Sequence, residues 1–166
     1  MLQGLLQAVQ DSSAATAIRE GQSLFPWIES VHVLAVTLVI GSIAIVDLRL
    51  LGLASRDRSV VQSTMLALPV TWSAFAIAVI SGALMFSSNA LSYARNPFFQ
   101  VKLLLIIGAG LNMLVYHLLL GRGASAWLTP ELTPHRARIA GGVSLLLWIA
   151  IAACGRWIGF TLKILS

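Results

Sequence analysis

The stretch from Trp27 to Leu51, WIESVHVLAVTLVIGSIAIVDLRLL, is long and apolar enough to cross a bilayer, yet it carries Glu29, His32, Asp47 and Arg49. Two later apolar stretches carry Lys102 with His117, and Arg156. An ionisable group inside a spanning helix is costly, so each of these is a functional-site candidate by default. Their types define the chemistry open to them. A neutral imidazole ligates haem iron through one ring nitrogen. A lysine or arginine pairs with porphyrin carboxylates by charge-assisted hydrogen bonds. A histidine beside a carboxylate can be held charged in the membrane, as part of a second redox site or an access point for a proton or cation.

Spacing sorts these residues into two levels. His32 and Asp47 are 15 residues apart, as are Lys102 and His117. Fifteen helical residues rise about 22 Å and turn four times plus about 60°, so each pair lies on one broad face. Side A is the side on which the first stretch begins. If the first and third spans start at similar depth, His32 and Lys102 share a level near side A, with Glu29, Arg156 and Arg95, and with Met85 as a candidate second ligand. Asp47 and His117 share a level near side B, bordered by Arg49 and Arg122, with His135 in the adjoining loop and Asn112 between the levels. His32 and His117 are thus candidate iron ligands of separate sites. Lying about 20 Å apart in depth, they cannot both ligate one haem within one bundle. A plainer alternative stands beside each site. Lys102 and Arg156 can reach to the interface with Glu29 as counter-ion, with His32 as an interhelical hydrogen-bonding group. Asp47 can pair structurally with His117 or Arg122.

The elements that would position these groups are helices. Apolar residues make up 58% of the chain and charged residues 10%, against about 25% charged in soluble domains, which places it in the membrane class. The predicted fold is all-α: a four-span transmembrane bundle over 27–166, with spans at about 27–53, 61–88, 97–121 and 136–164. Residues 1–26 form an N-terminal interfacial segment. Its Leu2, Leu5, Leu6 and Val9 recur at helical spacing, and Asp11-Ser12-Ser13 reads as a break or cap. Pro69 is expected to kink the second span. The glycines at 41, 108, 110, 141, 142 and 155 read first as close helix packing.

The net charge of +5 belongs to span flanks and not to a nucleic-acid surface, since no soluble basic face exists to carry one. Arg49, Arg56, Arg58, Arg122, Arg136 and Arg138 fall on side B, mostly in loops. Arg19, Arg95, Lys102, Arg156 and Lys163 fall on side A. The positive-inside rule then makes side B cytoplasmic and both termini periplasmic. The lone Cys154 excludes an internal disulfide and a cysteine metal cage. Phosphate loops, zinc motifs, nucleophile elbows and calcium loops are absent from the sequence. A Ser–His–Asp hydrolase is unsupported, because His32 and Asp47 lie far apart.

The strings IESVHVLAVTLVIGSIAIVDLRLLGL, NPFFQVKLLLIIGAGLNMLVYH and CGRWIGF resemble a family of bacterial four-helix integral membrane proteins of unknown function, from about Ile18 to the C-terminus. A looser likeness joins His32, early in the first span, and Lys102, after the aromatic run Phe98-Phe99, to the J-type protoporphyrinogen oxidases. The copper-resistance D membrane proteins are broadly similar. The J-type likeness implies haem b, with His32 as the haem-associated residue and Lys102 as its polar partner. The expectation is a small redox protein of the bacterial inner membrane. Lys102, Arg156 and Arg95 would hold porphyrin carboxylates, and His117 would serve a second site. A quinone or a redox protein would be the partner, and a homo-oligomer or a larger complex the assembly. The alternatives are a metal-ion or proton transport module, with Asp47 or His117 essential, and a scaffold or anchor subunit without chemistry of its own.

Overall fold

The computed structural model describes residues 1–54, 60–120 and 133–165, with side chains up to 118 in the second segment and up to 162 in the third. Arg56, Arg58 and Arg122, and most of the loop expected at 124–135, lie outside the described residues. Seven α-helices are described: α1 (Leu2–Gln10), α2 (Ser13–Glu20), α3 (Leu24–Leu51), α4 (Val60–Ser88), α5 (Ala90–Arg95), α6 (Pro97–Val115) and α7 (His135–Leu165). A π-helical turn, Tyr116–Leu120, continues α6. Four helices are long and apolar enough to cross a membrane. The protein is therefore a multi-pass helical membrane protein.

Local sequence explains where the helices start and stop. Ser12 caps α2, its hydroxyl accepting from Ala15 N at 3.3 Å. The first span begins at Leu24 rather than Trp27 because Pro26 sits in the first turn, where its missing N–H costs nothing. It ends at Gly52, whose φ of 74° is the left-handed closing geometry glycine adopts without a Cβ penalty. Pro69 interrupts one backbone bond, yet α4 runs through it as one helix. His135, expected in a loop, is the first residue of α7.

Asn96 joins two elements. Its Oδ1 accepts from Phe98 N at 2.9 Å and Phe99 N at 3.3 Å, and its Nδ2 donates to Thr161 Oγ1 of α7 at 2.7 Å. The side chain is fully buried. Asn96→Ala removes the cap and strands Thr161, so a loss of about 1–2 kcal/mol is expected. Thermal denaturation in detergent should show a lowered midpoint.

The packing follows a chain of neighbours. α3 packs on α4 and on α7, and α7 packs on α6, while α4 and α6 share no substantial backbone contact. Two hairpins, α3–α4 and α6–α7, thus dock through α3 and α7, leaving a seam between α4 and α6. Two polar rungs link α3 to α4: Ser42 to Thr71 at 2.8 Å and His32 to Ser81 at 3.0 Å. The buried residues are mostly small, among them Ala35, Ala67, Ala74, Ala78, Ala109 and Ala140. Small residues let spans approach closely where lipid offers no hydrophobic drive between helices. The outward faces are apolar, as at Ile80, Leu104 and Leu146.

The N-terminal segment packs onto the bundle. α2 buries Ala15 and Ile18 and packs on α3 and α4, while α1 packs on α5. Arg19 fastens it, donating to Gln10 O at 3.2 Å and Ser88 O at 3.3 Å. Gln10 Oε1 accepts from Leu91 N at 3.1 Å. Residues 2–20 therefore cap the side-A end of the bundle.

Candidate functional site

His32 faces α4. Ser81 Oγ donates to the Ile77 carbonyl at 2.6 Å, so its proton is committed and it accepts from His32 Nδ1 at 3.0 Å. The imidazole is then the Nδ1–H tautomer, with the lone pair on Nε2. Gly82 gives the ring its place: a Cβ there would lie 3.0 Å from His32 Cε1. Lys102 is lodged in the same way, its Nζ 3.5 Å from where a Cβ of Gly155 on α7 would be. Its ammonium is near enough to act electrostatically on His32 and lies beside Cys154. The two side chains come from helices that barely touch, each seated over a glycine of a neighbouring span.

A cleft of about 590 Å³ opens at side A, lined by Arg19, Glu29, Tyr93, Arg156 and Phe160 among others. Phe25 and Glu29 of α3 line it, and His32 follows Glu29 by one turn, on the same face. The Arg156 guanidinium lies 4.7 Å over the Phe160 ring. Stacked Phe86 and Phe99 (5.4 Å), with Tyr93 5.6 Å from Phe99, close the α4–α6 seam at this end. Burial pushes the Tyr93 phenol up to about 12, and the nearby Glu29 carboxylate adds to the effect. Because the fold favours the neutral phenol, this stabilisation persists at ordinary pH and is lost as pH rises through about 12. Alkaline titration of the phenolate absorbance, with Tyr93→Phe to assign it, should show late ionisation that moves earlier in Glu29→Gln.

The side-B residues gather around a second cavity, of about 180 Å³, lined by all four spans. Asp47 and His117 both line it, but no hydrogen bond joins them among the described residues. Asp47 faces Ser144 of α7, and its Oδ2 accepts no hydrogen bond. His117 Nδ1 lies 3.0 Å from the Met113 carbonyl. A carbonyl only accepts, so Nδ1 is the donor, and the neutral ring carries its lone pair on Nε2. Asn112 donates to Ala140 O at 3.0 Å and so helps fasten α6 to α7.

The structure thus brings His32 and Lys102 within electrostatic reach of one another, sets Arg156 in a cleft at the same end whose lining includes neither of them, and brings Asp47 to the same cavity as His117. It does not bring Arg95 to either cavity: that side chain is exposed at the end of α5. Met85 is half-buried, one turn of α4 from Ser81. Sequence reasoning missed Ser81 and Gly82, although a Ser-Gly pair inside an apolar span is a signal of close approach. It also missed Arg19 and Tyr93, which reach the cleft through tertiary docking. Among the described residues no three His, Cys, Asp or Glu side chains converge to hold a bare metal ion.

Four apolar spans define a small helical membrane protein with an interior cavity near one end and a cleft at the other. The chain belongs to the DUF6644 family, a family of unknown function, which it matches over residues 21–161. Neither a curated protein nor a solved structure matches it.

Proposed function

We propose that this is a small membrane redox protein that holds haem b in the side-A cleft, with His32 as axial ligand. The observation that carries the reading is the His32 ring: held at Nδ1 by Ser81, it carries its Nε2 lone pair when neutral, and it lies one helical turn from Glu29 at the wall of a cleft of about 590 Å³. Cofactor pockets run to roughly 300–1,000 Å³, so the cleft is of suitable size. A hydrogen bond to the second ring nitrogen is the usual support of a metal-ligating histidine. Arg19 and Arg156 supply two guanidiniums to Glu29's single carboxylate, which suits a group carrying two carboxylates. Lys102 adds a third positive charge below them. Bound there, haem supplies one-electron redox chemistry. The side-B cavity, about 180 Å³, falls below that size range, so the reading does not extend to a second haem at His117.

In this reading the protein sits in the bacterial inner membrane with side A periplasmic, because the arginines at 49, 56, 58, 122, 136 and 138 flank side B. Electrons would pass to or from a quinone or a redox protein. The test is a reduced-minus-oxidised absorption spectrum of protein purified from cells supplied with haem. Soret and α bands are expected; their absence overturns the reading.

A further inference from the structure

The side-B cavity belongs to none of the chemistry above. We propose that it binds a lipophilic cation, a primary alkylammonium head on an apolar chain, which enters sideways from the bilayer and pairs its head with Asp47.

Three observations carry this. The first is shape. The cavity is about 180 Å³ and lined by α3, α4, α6 and α7. An engineered apolar cavity of about 150 Å³ holds benzene, so there is room for one head and a short length of chain. The second is access. α4 and α6 share no substantial backbone contact, and the lining residues at that seam are open outward: Leu68 is 40% exposed, Trp72 52% and Met113 43%. In a membrane that opening faces lipid, so the ligand arrives from the bilayer.

The third is charge. Asp47 lines the cavity while only 5% exposed, and its Oδ2 has no hydrogen-bond partner among the described residues. No lysine or arginine lines the cavity. Arg49 is two positions along α3, on a different face. His117 Nδ1 is held by the Met113 carbonyl, so the neutral ring presents Nε2 to the cavity as an acceptor. Ser144 and Tyr116 bring hydroxyl donors to the site, but Asp47 Oδ2 is left without a partner among the described residues and no lysine or arginine lines the cavity, so a donor head with positive charge satisfies it. The Ser42–Thr71 rung sets the register of α3 on α4, which places Trp72 and Phe75 roughly 9–14 Å deeper than Asp47. A head at Asp47 therefore sends its chain along aromatic walls towards the membrane middle. Aromatic faces also attract cations.

The test uses the full chain in zwitterionic nanodiscs, with radiolabelled decylammonium as the probe in a scintillation proximity assay. Saturable binding above that of empty nanodiscs is expected, competed by unlabelled decylammonium and not by decanol or decanoate. Asp47→Asn should weaken it about tenfold or more through loss of the charge pair, and Ala109→Phe should abolish it by filling the cavity. Binding no greater than to empty discs overturns the proposal. So does Asp47→Asn binding within about twofold of the parent, or equal competition by decanol. The decanol comparison decides the matter on the parent protein even if both variants fail to fold. None of these readouts involves haem, so the result stands apart from the side-A assignment.

Discussion

Replacing His32 with glycine should abolish haem retention, and imidazole added to the buffer should restore it. The substitution deletes the ligand and leaves a gap above Gly82, where a Cβ would otherwise meet the ring at 3.0 Å. Free imidazole is the fragment removed, and Ser81 remains to orient it through the hydrogen bond it makes to His32 Nδ1 at 3.0 Å. Ser81→Ala should act through the ring rather than replace it. Loss of such a supporting partner costs about 10–100-fold in affinity, so haem should be held more weakly but not lost. Absorption titration with haem, with and without imidazole, reads all three proteins. Parent-level haem binding in His32→Gly without imidazole would show that the ligand lies elsewhere.

The second large effect concerns the joint between the hairpins. Gly141 of α7 packs closely on α3: a Cβ there would lie 3.0 Å from Leu50 Cβ and 3.2 Å from the Asp47 carbonyl oxygen. The carbonyl is backbone and cannot swing aside, so any side chain pushes the helices apart. Gly141→Leu should destabilise the fold by about 1–3 kcal/mol through overpacking, or more if the hairpins separate. The neighbouring Gly142 meets nothing nearer than Leu51 Cδ2 at 3.7 Å. Gly142→Ala should be neutral or slightly stabilising, since alanine is the better helix former by about 1 kcal/mol. Unfolding in mixed micelles, followed by circular dichroism, separates the two. Equal tolerance at both positions would mean that α3 and α7 are not docked at Gly141.

Helix rise and length are fixed by geometry, and for that reason the spans and the two polar levels were legible in the sequence. The shared level of His32 and Lys102 follows from the 1.5 Å rise once the two spans start at similar depth. Helix rotation was not legible. A span that is apolar all round gives no amphipathic stripe, because lipid is as apolar as the core. Nothing in the sequence therefore distinguished the α3–α7 joint from the open α4–α6 seam. The side-A cleft was only half legible for a related reason. Arg156 was visible as a cation at that level, but Arg19 reaches it only because α2 folds back over the end of α4. Asp47 and His117 were correctly read as neighbours in depth. Whether they bond depends on side-chain direction, and Ser144 stands nearer to the carboxylate.

The most direct measurement is the haem-to-chain ratio of parent, His32→Ala and His117→Ala proteins purified from the same haem-supplied cells. Stoichiometric haem is expected in the parent and in His117→Ala, and none in His32→Ala. Haem absent from all three, or lost with His117 and kept without His32, would contradict a haem site at side A.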